Sequence, residues 1–383
     1  MSKFINSMVV FALLVSLSVS GVNNVSASGQ SRPQEPRLPY PYDEQEVVYE
    51  NKKDGVQIAG TLTLPRSKGL VPAVLLITGS GPQDRNETLL GHKPFLVLAD
   101  HLTRLGIAVL RVDDRGVGKS TGKFSEATSE DFAADVLAGV EYLKTRKEIN
   151  PRRIGLIGHS EGGLIAPMVA AKSTDIAFIV MMAGQGLTGE EILYLQGALI
   201  SKADGVSDDF IAQNRAMQER VFAIVKREKD GVVAERKIRE EAVSFREIAA
   251  SKAEATEEQK KTINVIAAAI ESQAKFVVLP WFRFFLTYNP RPALMKVKCP
   301  VLAINGEKDL QVPAKENLAA IRQALEAGGN KDYTSLALPN LNHLFQTCRT
   351  GAISEYAQIE ETISPVALNT ISNWILKHTN LDR

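Results

Sequence analysis

The segment Ile154-Gly155-Leu156-Ile157-Gly158-His159-Ser160-Glu161-Gly162-Gly163 constrains this chain more than any other. A short apolar run ends in Gly-x-Ser-x-Gly, and a small-residue, apolar stretch follows it. That order predicts a strand turning sharply into a helix, with a serine held at the turn. Glycines at 158 and 162 let neighbouring chain pass close by, where a side chain would intrude. Such a serine is a candidate nucleophile if an acid and then a histidine follow later in the chain.

The surrounding sequence supplies a matching rhythm. Residues 46–65 alternate around Lys53-Asp54-Gly55, which predicts a hairpin. Ala73-Val74-Leu75-Leu76-Ile77 is a continuous apolar run, the pattern of a strand buried on both faces. Residues 95–105 carry Phe95, Leu98, Leu102 and Leu105 on one helical side. A strand at 107–112, a helix at 132–143, the strand at 154–157 and another at 176–182 follow. The rhythm stops near Gly184 and resumes near Pro300. It continues with a strand at 301–305, a helix at 314–327 ended by Gly328-Gly329, and a strand at 333–338. Ser364-Pro365 opens a last helix. Strands alternating with helices predict an α/β fold with a mostly parallel sheet flanked by helices.

The interruption, residues 186–296, is rich in Lys, Glu and Ala. Ile263, Ile266, Ala267 and Ile270 share one helix face, and Thr256 with Gln259 predicts a capping box. A helical cap, or lid over the sheet, is expected here. Its end, residues 279–288, concentrates aromatic side chains. Trp281 and Phe285 are candidate substrate contacts, with the interior of the cap as their alternative place.

Lys3, the apolar residues 8–19 and the small residues Val25-Ser26-Ala27 predict a signal peptide over 1–27, cleaved near Ala27. The apolar run is too short to span a bilayer. An exported protein, periplasmic or secreted and without a stable membrane anchor, is expected. A linker at 28–45 would lead to a core made of 46–185 and 297–383. Lys plus Arg total 45 and Asp plus Glu 44, a net charge of +1, which lends no support to a nucleic-acid partner. Cys299 and Cys348 are expected unpaired, since the strand order sets them at opposite ends of the sheet. No His, Cys and carboxylate cluster has metal-ligand spacing, so no metal is expected. Gly116-Val117-Gly118-Lys119-Ser120 is no phosphate loop, because position 113 is aspartate where the pattern needs glycine. Asp113-Asp114-Arg115-Gly116 is expected to brace the loops beside its strand.

The partners of Ser160 can be sought in order. Asn305-Gly306-Glu307-Lys308-Asp309 follows a strand directly, and Asp309 is the candidate acid, with Glu307 in reserve. Leu338-Pro339-Asn340-Leu341-Asn342-His343 follows the last strand, and His343 is the candidate base. Among the other histidines, His159 is expected to point away from Ser160, and His101 and His378 to lie at the surface. His92, in a loop, is a candidate substrate contact. An oxyanion needs two backbone donors. The N–H of Glu161 is one candidate, and the N–H of Ser80, within Thr78-Gly79-Ser80-Gly81-Pro82, is the other.

Taken together, Gly79-Ser80-Gly81-Pro82-Gln83-Asp84-Arg85, the run from Asp113 to Gly122, Gly158-His159-Ser160-Glu161-Gly162-Gly163 and Asn342-His343-Leu344-Phe345-Gln346 resemble bacterial α/β-hydrolases of the carboxylesterase kind. The similarity runs from about residue 45 to the end. It implies the α/β-hydrolase fold, a mixed eight-stranded sheet, a helical cap, no cofactor, and catalytic positions at Ser160, Asp309 and His343. Thr78 stands where this superfamily commonly has a histidine, which leaves the oxyanion loop open. The resemblance also covers dipeptidyl and prolyl oligopeptidase-like relatives. A short-chain carboxylesterase acting on a small ester substrate is expected first. An exported peptidase is the alternative, and a binding protein on an inactive hydrolase fold the third reading.

Overall fold

The computed structural model describes residues 32–251 and 256–379. The signal peptide expected over 1–27 lies outside the described residues. The described chain divides into two compact units, residues 32–187 with 289–379, and residues 188–288.

The first unit opens with the antiparallel hairpin β1 (Asp43–Asn51) and β2 (Val56–Leu64). Its turn carries Gly55 at φ 66°, a conformation glycine adopts without steric cost. Next come β3 (Val71–Ile77), α1 (Pro94–Arg104), β4 (Ala108–Val112), α2 (Ser129–Lys144), β5 (Ile149–His159), α3 (Glu161–Ala170) and β6 (Phe178–Met182). Five helices then form the second unit: α4 (Gly189–Ala203), α5 (Asp208–Arg227), α6 (Gly231–Ser251), α7 (Glu257–Gln273) and α8 (Pro280–Thr287). The first unit resumes with the short α9 (Arg291–Leu294), β7 (Val301–Gly306), α10 (Ala314–Ala327), β8 (Tyr333–Leu338), the short α11 (Ile353–Tyr356) and α12 (Pro365–Thr379).

One eight-stranded sheet results, in the order β1-β2-β4-β3-β5-β6-β7-β8. β2 runs antiparallel to both its neighbours, and all later pairings are parallel. Every residue of β3 is buried, as its unbroken apolar run predicts. Val74, Leu76, Val109, Ile157, Val180 and Ile304 on one face pack with Phe95, Leu98 and Leu102 of α1 and with Ile371 and Ile375 of α12. Each such side chain contributes roughly 1.5–3 kcal/mol by leaving water. On the other face α2 approaches so closely that a Cβ on Gly139 would lie 2.4 Å from Leu75 Cδ1.

Local chemistry sets the element ends. α2 starts three residues before its apolar periodicity begins, because Thr128 caps it. The Asp131 carboxylate accepts from the Thr128 N–H at 2.7 Å and from its hydroxyl at 2.8 Å. Where composition predicts a linker, side chains fasten the chain instead. Arg32 donates to the carbonyls of Leu90, Ala357 and Ile359. Gln34 Oε1 accepts from the N–H groups of Thr362 and Ile363.

In the helical unit the expected capping box forms. The Gln259 N–H donates to Thr256 Oγ1 at 3.2 Å, and the Thr256 N–H donates to Gln259 Oε1 at 3.0 Å. Ile266, Ala267 and Ile270 are buried on one face of α7. Among the described residues no helix is long and apolar enough to cross a membrane.

Candidate active site

Ser160 sits between β5 and α3, at φ 53° and ψ −113°. A side-chain-bearing residue held there costs of order 1–3 kcal/mol. Three contacts hold it. The Ser160 N–H donates to the Met182 carbonyl at the end of β6, at 2.8 Å. A Cβ on Gly158 would lie 2.0 Å from the Gly162 carbonyl oxygen. A Cβ on Gly162 would lie 2.1 Å from the carbonyl oxygen of Ile77, the last residue of β3. Only glycine fits either place, so the Gly-x-Ser-x-Gly spacing is a packing requirement of this turn.

Asp309 follows β7 and is 3% exposed. Its Oδ1 accepts from the N–H groups of Gln311 and Val312, at 2.8 and 2.9 Å. Its Oδ2 meets His343 Nδ1 at 2.8 Å. The ionised carboxylate accepts only, so Nδ1 carries the proton and donates. His343 Nε2 is left as the basic nitrogen. Glu307, the reserve acid, is exposed and accepts from the Asn340 N–H.

The His343 loop is built to hold one shape. Asn342 is fully buried, and its Oδ1 accepts from the N–H groups of Leu344 and Gln346. Asn340 and Phe345 have φ of 60° and 61°. A Cβ on Gly306, at the end of β7, would lie 2.3 Å from the Leu341 carbonyl oxygen. The loops carrying acid and base are thereby in main-chain contact, reinforced by the Lys308 N–H donating to that same carbonyl at 2.9 Å.

The oxyanion candidates lie on either side of the elbow. An added Cβ on Gly79 would come within 3.4 Å of Ser160 Cβ, so the loop after β3 runs against the serine. The Gly79 N–H is committed to Glu87 Oε1 at 2.6 Å, and Ser80 is the next residue along. Glu161 opens α3, and its side chain is buried, accepting from the Ser129 hydroxyl at 2.6 Å. Thr78 donates its hydroxyl to Asp114 Oδ1 at 2.7 Å. Asp114 also accepts from the Gln83 N–H, and Asp113 binds Arg85, so this acidic pair braces the loop.

Three expected substrate contacts lie in the protein interior. His92 is 1% exposed, and both its ring nitrogens bond within the protein. Nδ1 meets Thr362 Oγ1, and Nε2 meets the Tyr356 carbonyl and the Gln346 amide. Burial lowers its pKa, Arg32 lowers it further, and the ring acts as a neutral brace for the His343 loop. Trp281 and Phe285 are 1% and 3% exposed. Their rings stack at 5.3 Å inside the aromatic core of the helical unit, so their surface is spent on neighbours. Sequence reasoning missed Glu87, which meets both Gly79 and His159. Among the described residues no group of three or more His, Cys, Asp or Glu is placed to hold a metal.

Sheet order, elbow and loop placement define an α/β-hydrolase fold. Solved structures agree on that fold. The α/β hydrolase GrgF of Penicillium matches with a TM-score of 0.53 at 14% identity, over 88% of this chain and 99% of that one. An esterase of Pyrococcus furiosus matches with a TM-score of 0.51 at 16% identity, over 91% and 98%. Residues 54–344 match the family described as X-Pro dipeptidyl-peptidase (S15 family), and the chain belongs to that family. Esterase EstD of Thermotoga maritima is 33% identical over 136 residues, which cover 36% of this chain and 32% of that relative. The matched stretch thus spans about a third of the relative's length.

Proposed function

We propose that this chain is a serine hydrolase that cleaves short-chain carboxylic esters through an acyl-enzyme intermediate. The observation that carries the reading is the 2.8 Å contact of Asp309 with His343, set in the loops beside a strained serine. His343 Nε2 takes the Ser160 proton as the hydroxyl attacks the ester carbonyl. The N–H groups of Glu161 and Ser80 stabilise the oxyanion. His343 then protonates the departing alcohol, and the same nitrogen activates the water that releases the acid. Asp309 holds the imidazole tautomer throughout and stabilises its charged form. The reading takes residues 1–27 as an export signal.

The S15 family match favours a second reading, cleavage of a dipeptide from a peptide amine terminus. That chemistry needs a carboxylate offered to the substrate ammonium group. The carboxylates beside the elbow are engaged within the protein: Glu87 with Gly79 and His159, Glu161 with Ser129, Asp114 with Thr78 and Gln83. This, with the likeness to an esterase, supports the ester first.

Hydrolysis of p-nitrophenyl acetate, butyrate and octanoate beside Gly-Pro and Ala-Pro p-nitroanilides separates the two. Ester turnover that falls with chain length and vanishes in Ser160→Ala supports the esterase. Anilide cleavage with little ester turnover moves the protein to the peptidase reading.

A further inference from the structure

A second buried histidine–carboxylate contact lies directly behind the Ser160 turn. His159 is 5% exposed, and its ring lies 4.9 Å from that of His343, centroid to centroid. His159 Nε2 is 3.0 Å from the main-chain carbonyl oxygen of His343. His159 Nδ1 is 2.9 Å from Glu87 Oε1. That same Oε1 accepts the Gly79 N–H at 2.6 Å. Glu87 is itself held at φ 53°, a strained conformation for a residue with a side chain.

The proton inventory follows from these contacts. A carbonyl oxygen only accepts, so Nε2 of His159 must carry a proton. Nδ1 and Oε1 would then repel each other at 2.9 Å if neither held one. One proton therefore lies between them. The pair as a whole is neutral, with two protons on His159 and Glu87 ionised, or one on each.

We propose that Glu87 and His159 are a positioning pair that, through one shared proton, fixes the oxyanion loop at Gly79 and the main chain of His343 at the same time. The oxyanion loop and the Ser160 turn meet there. A Cβ on Gly79 would lie 3.0 Å from Glu87 Oε1, 3.4 Å from Ser160 Cβ and 3.6 Å from His159 Nδ1. Neither residue touches the reacting atoms. They set the distance between oxyanion donors and base, and misplacing such groups by about 1 Å costs about a hundredfold in rate.

The charged groups that face His159 agree with a retained proton. Burial disfavours its charged form, but Glu87 and the His343 carbonyl outweigh burial, with Asp309 adding to them, and the imidazolium persists above its ordinary range. The pair's bracing is complete below the usual histidine pKa, about 6.5, and is lost as pH rises through the elevated value. The inference rests on Ser160 and His343 being nucleophile and base.

Glu87→Gln tests the pair. A glutamine oxygen can still accept from the Gly79 N–H, but, uncharged and without an acidic proton, it no longer keeps a shared proton at His159 Nδ1. The expected result is a kcat lowered about 10- to 100-fold at little change in KM, with the alkaline limb of the wild-type kcat profile displaced. A kcat within twofold of wild type and an unmoved alkaline limb would overturn the proposal. Proton NMR of Ser160→Ala, with histidine labelled with nitrogen-15, adds a readout that needs no activity and no Glu87 variant. Two low-field protons are expected, one at His343 Nδ1 and one between His159 Nδ1 and Glu87 Oε1. Absence of this second His159 signal between pH 5 and 7 would overturn the shared proton. If wild type shows no hydrolysis while the His159 signal is present, the catalytic reading fails and the pair stands.

Discussion

At the amino ends of the parallel strands, tight turns fall to glycines with room to spare. Gly106 before β4 and Gly329 before β8 have φ of 92° and 77°, and a Cβ at either would meet nothing within 4 Å. At the carboxyl ends the left-handed conformation is taken by glycines such as Gly81 and Gly116 and also by Glu87, Leu90, Ser160, Ala183, Asn340 and Phe345. Three other glycines of this edge, Gly158, Gly162 and Gly306, are packed against main chain at 2.0 to 2.3 Å. The sheet solves its ordinary turns at no steric cost. Among the described residues, side chains are carried in that strained conformation, at a cost of order 1–3 kcal/mol each, only at the carboxyl edge. The same edge carries the buried polar groups Asp309, His343, Glu87 and His159.

Substitutions at the two edges should therefore fail differently. Ser160→Ala should lower ester turnover by roughly 10⁴-fold or more, with folding unchanged, because only the hydroxyl is lost from the same backbone. Measurement of kcat and of the urea midpoint checks both halves. Asp309→Asn should follow, with kcat down about 10³- to 10⁴-fold, since the amide no longer fixes the His343 tautomer. Gly162→Ala should lose about 3 kcal/mol or more of stability, since its Cβ meets the Ile77 carbonyl; overpacking of this kind costs at least 1–3 kcal/mol. Gly329→Ala, at the other edge, should cost only about 1–2 kcal/mol of backbone strain and leave kcat unchanged. Equal losses from the two glycine variants in urea unfolding would break the comparison.

Burial raises the Asp113 pKa, but Arg85 outweighs burial and holds the carboxyl below its ordinary range. A depressed carboxylate stabilises the fold above its unfolded pKa, about 3.9, and that stability is lost as pH falls through the lower folded value. Arg85→Met should move the acid-unfolding midpoint, followed by circular dichroism, to higher pH. No movement would remove Arg85 from the account.

Much of the fold was legible because local signals agreed with it. α10 spans the 314–327 stretch that the sequence predicts, with Pro313 before it and Gly328-Gly329 after. β3 was legible as a run with no polar break. β5 was not fully so. It begins at Ile149, five residues before its apolar run, and its pairing with β3 shifts register between Val71 and Ala73. In the site, order along the chain pointed to Ser160, Asp309 and His343, since each follows a strand in a parallel sheet. Glu87 gave no such signal. It lies 72 residues from His159 in a polar loop without periodicity, and only sheet closure brings the two together. The burial of His92, Trp281 and Phe285 was not legible, because residue type marks neither burial nor the direction a side chain takes.

The central claim is that Ser160 is the nucleophile of this edge. Labelling with a fluorophosphonate probe, followed by peptide mass mapping, tests it directly. One adduct per chain is expected, on the peptide containing Ser160, absent in Ser160→Ala and slowed in His343→Gln. A chain that stays unlabelled, or an adduct on another serine that persists in Ser160→Ala, would contradict it.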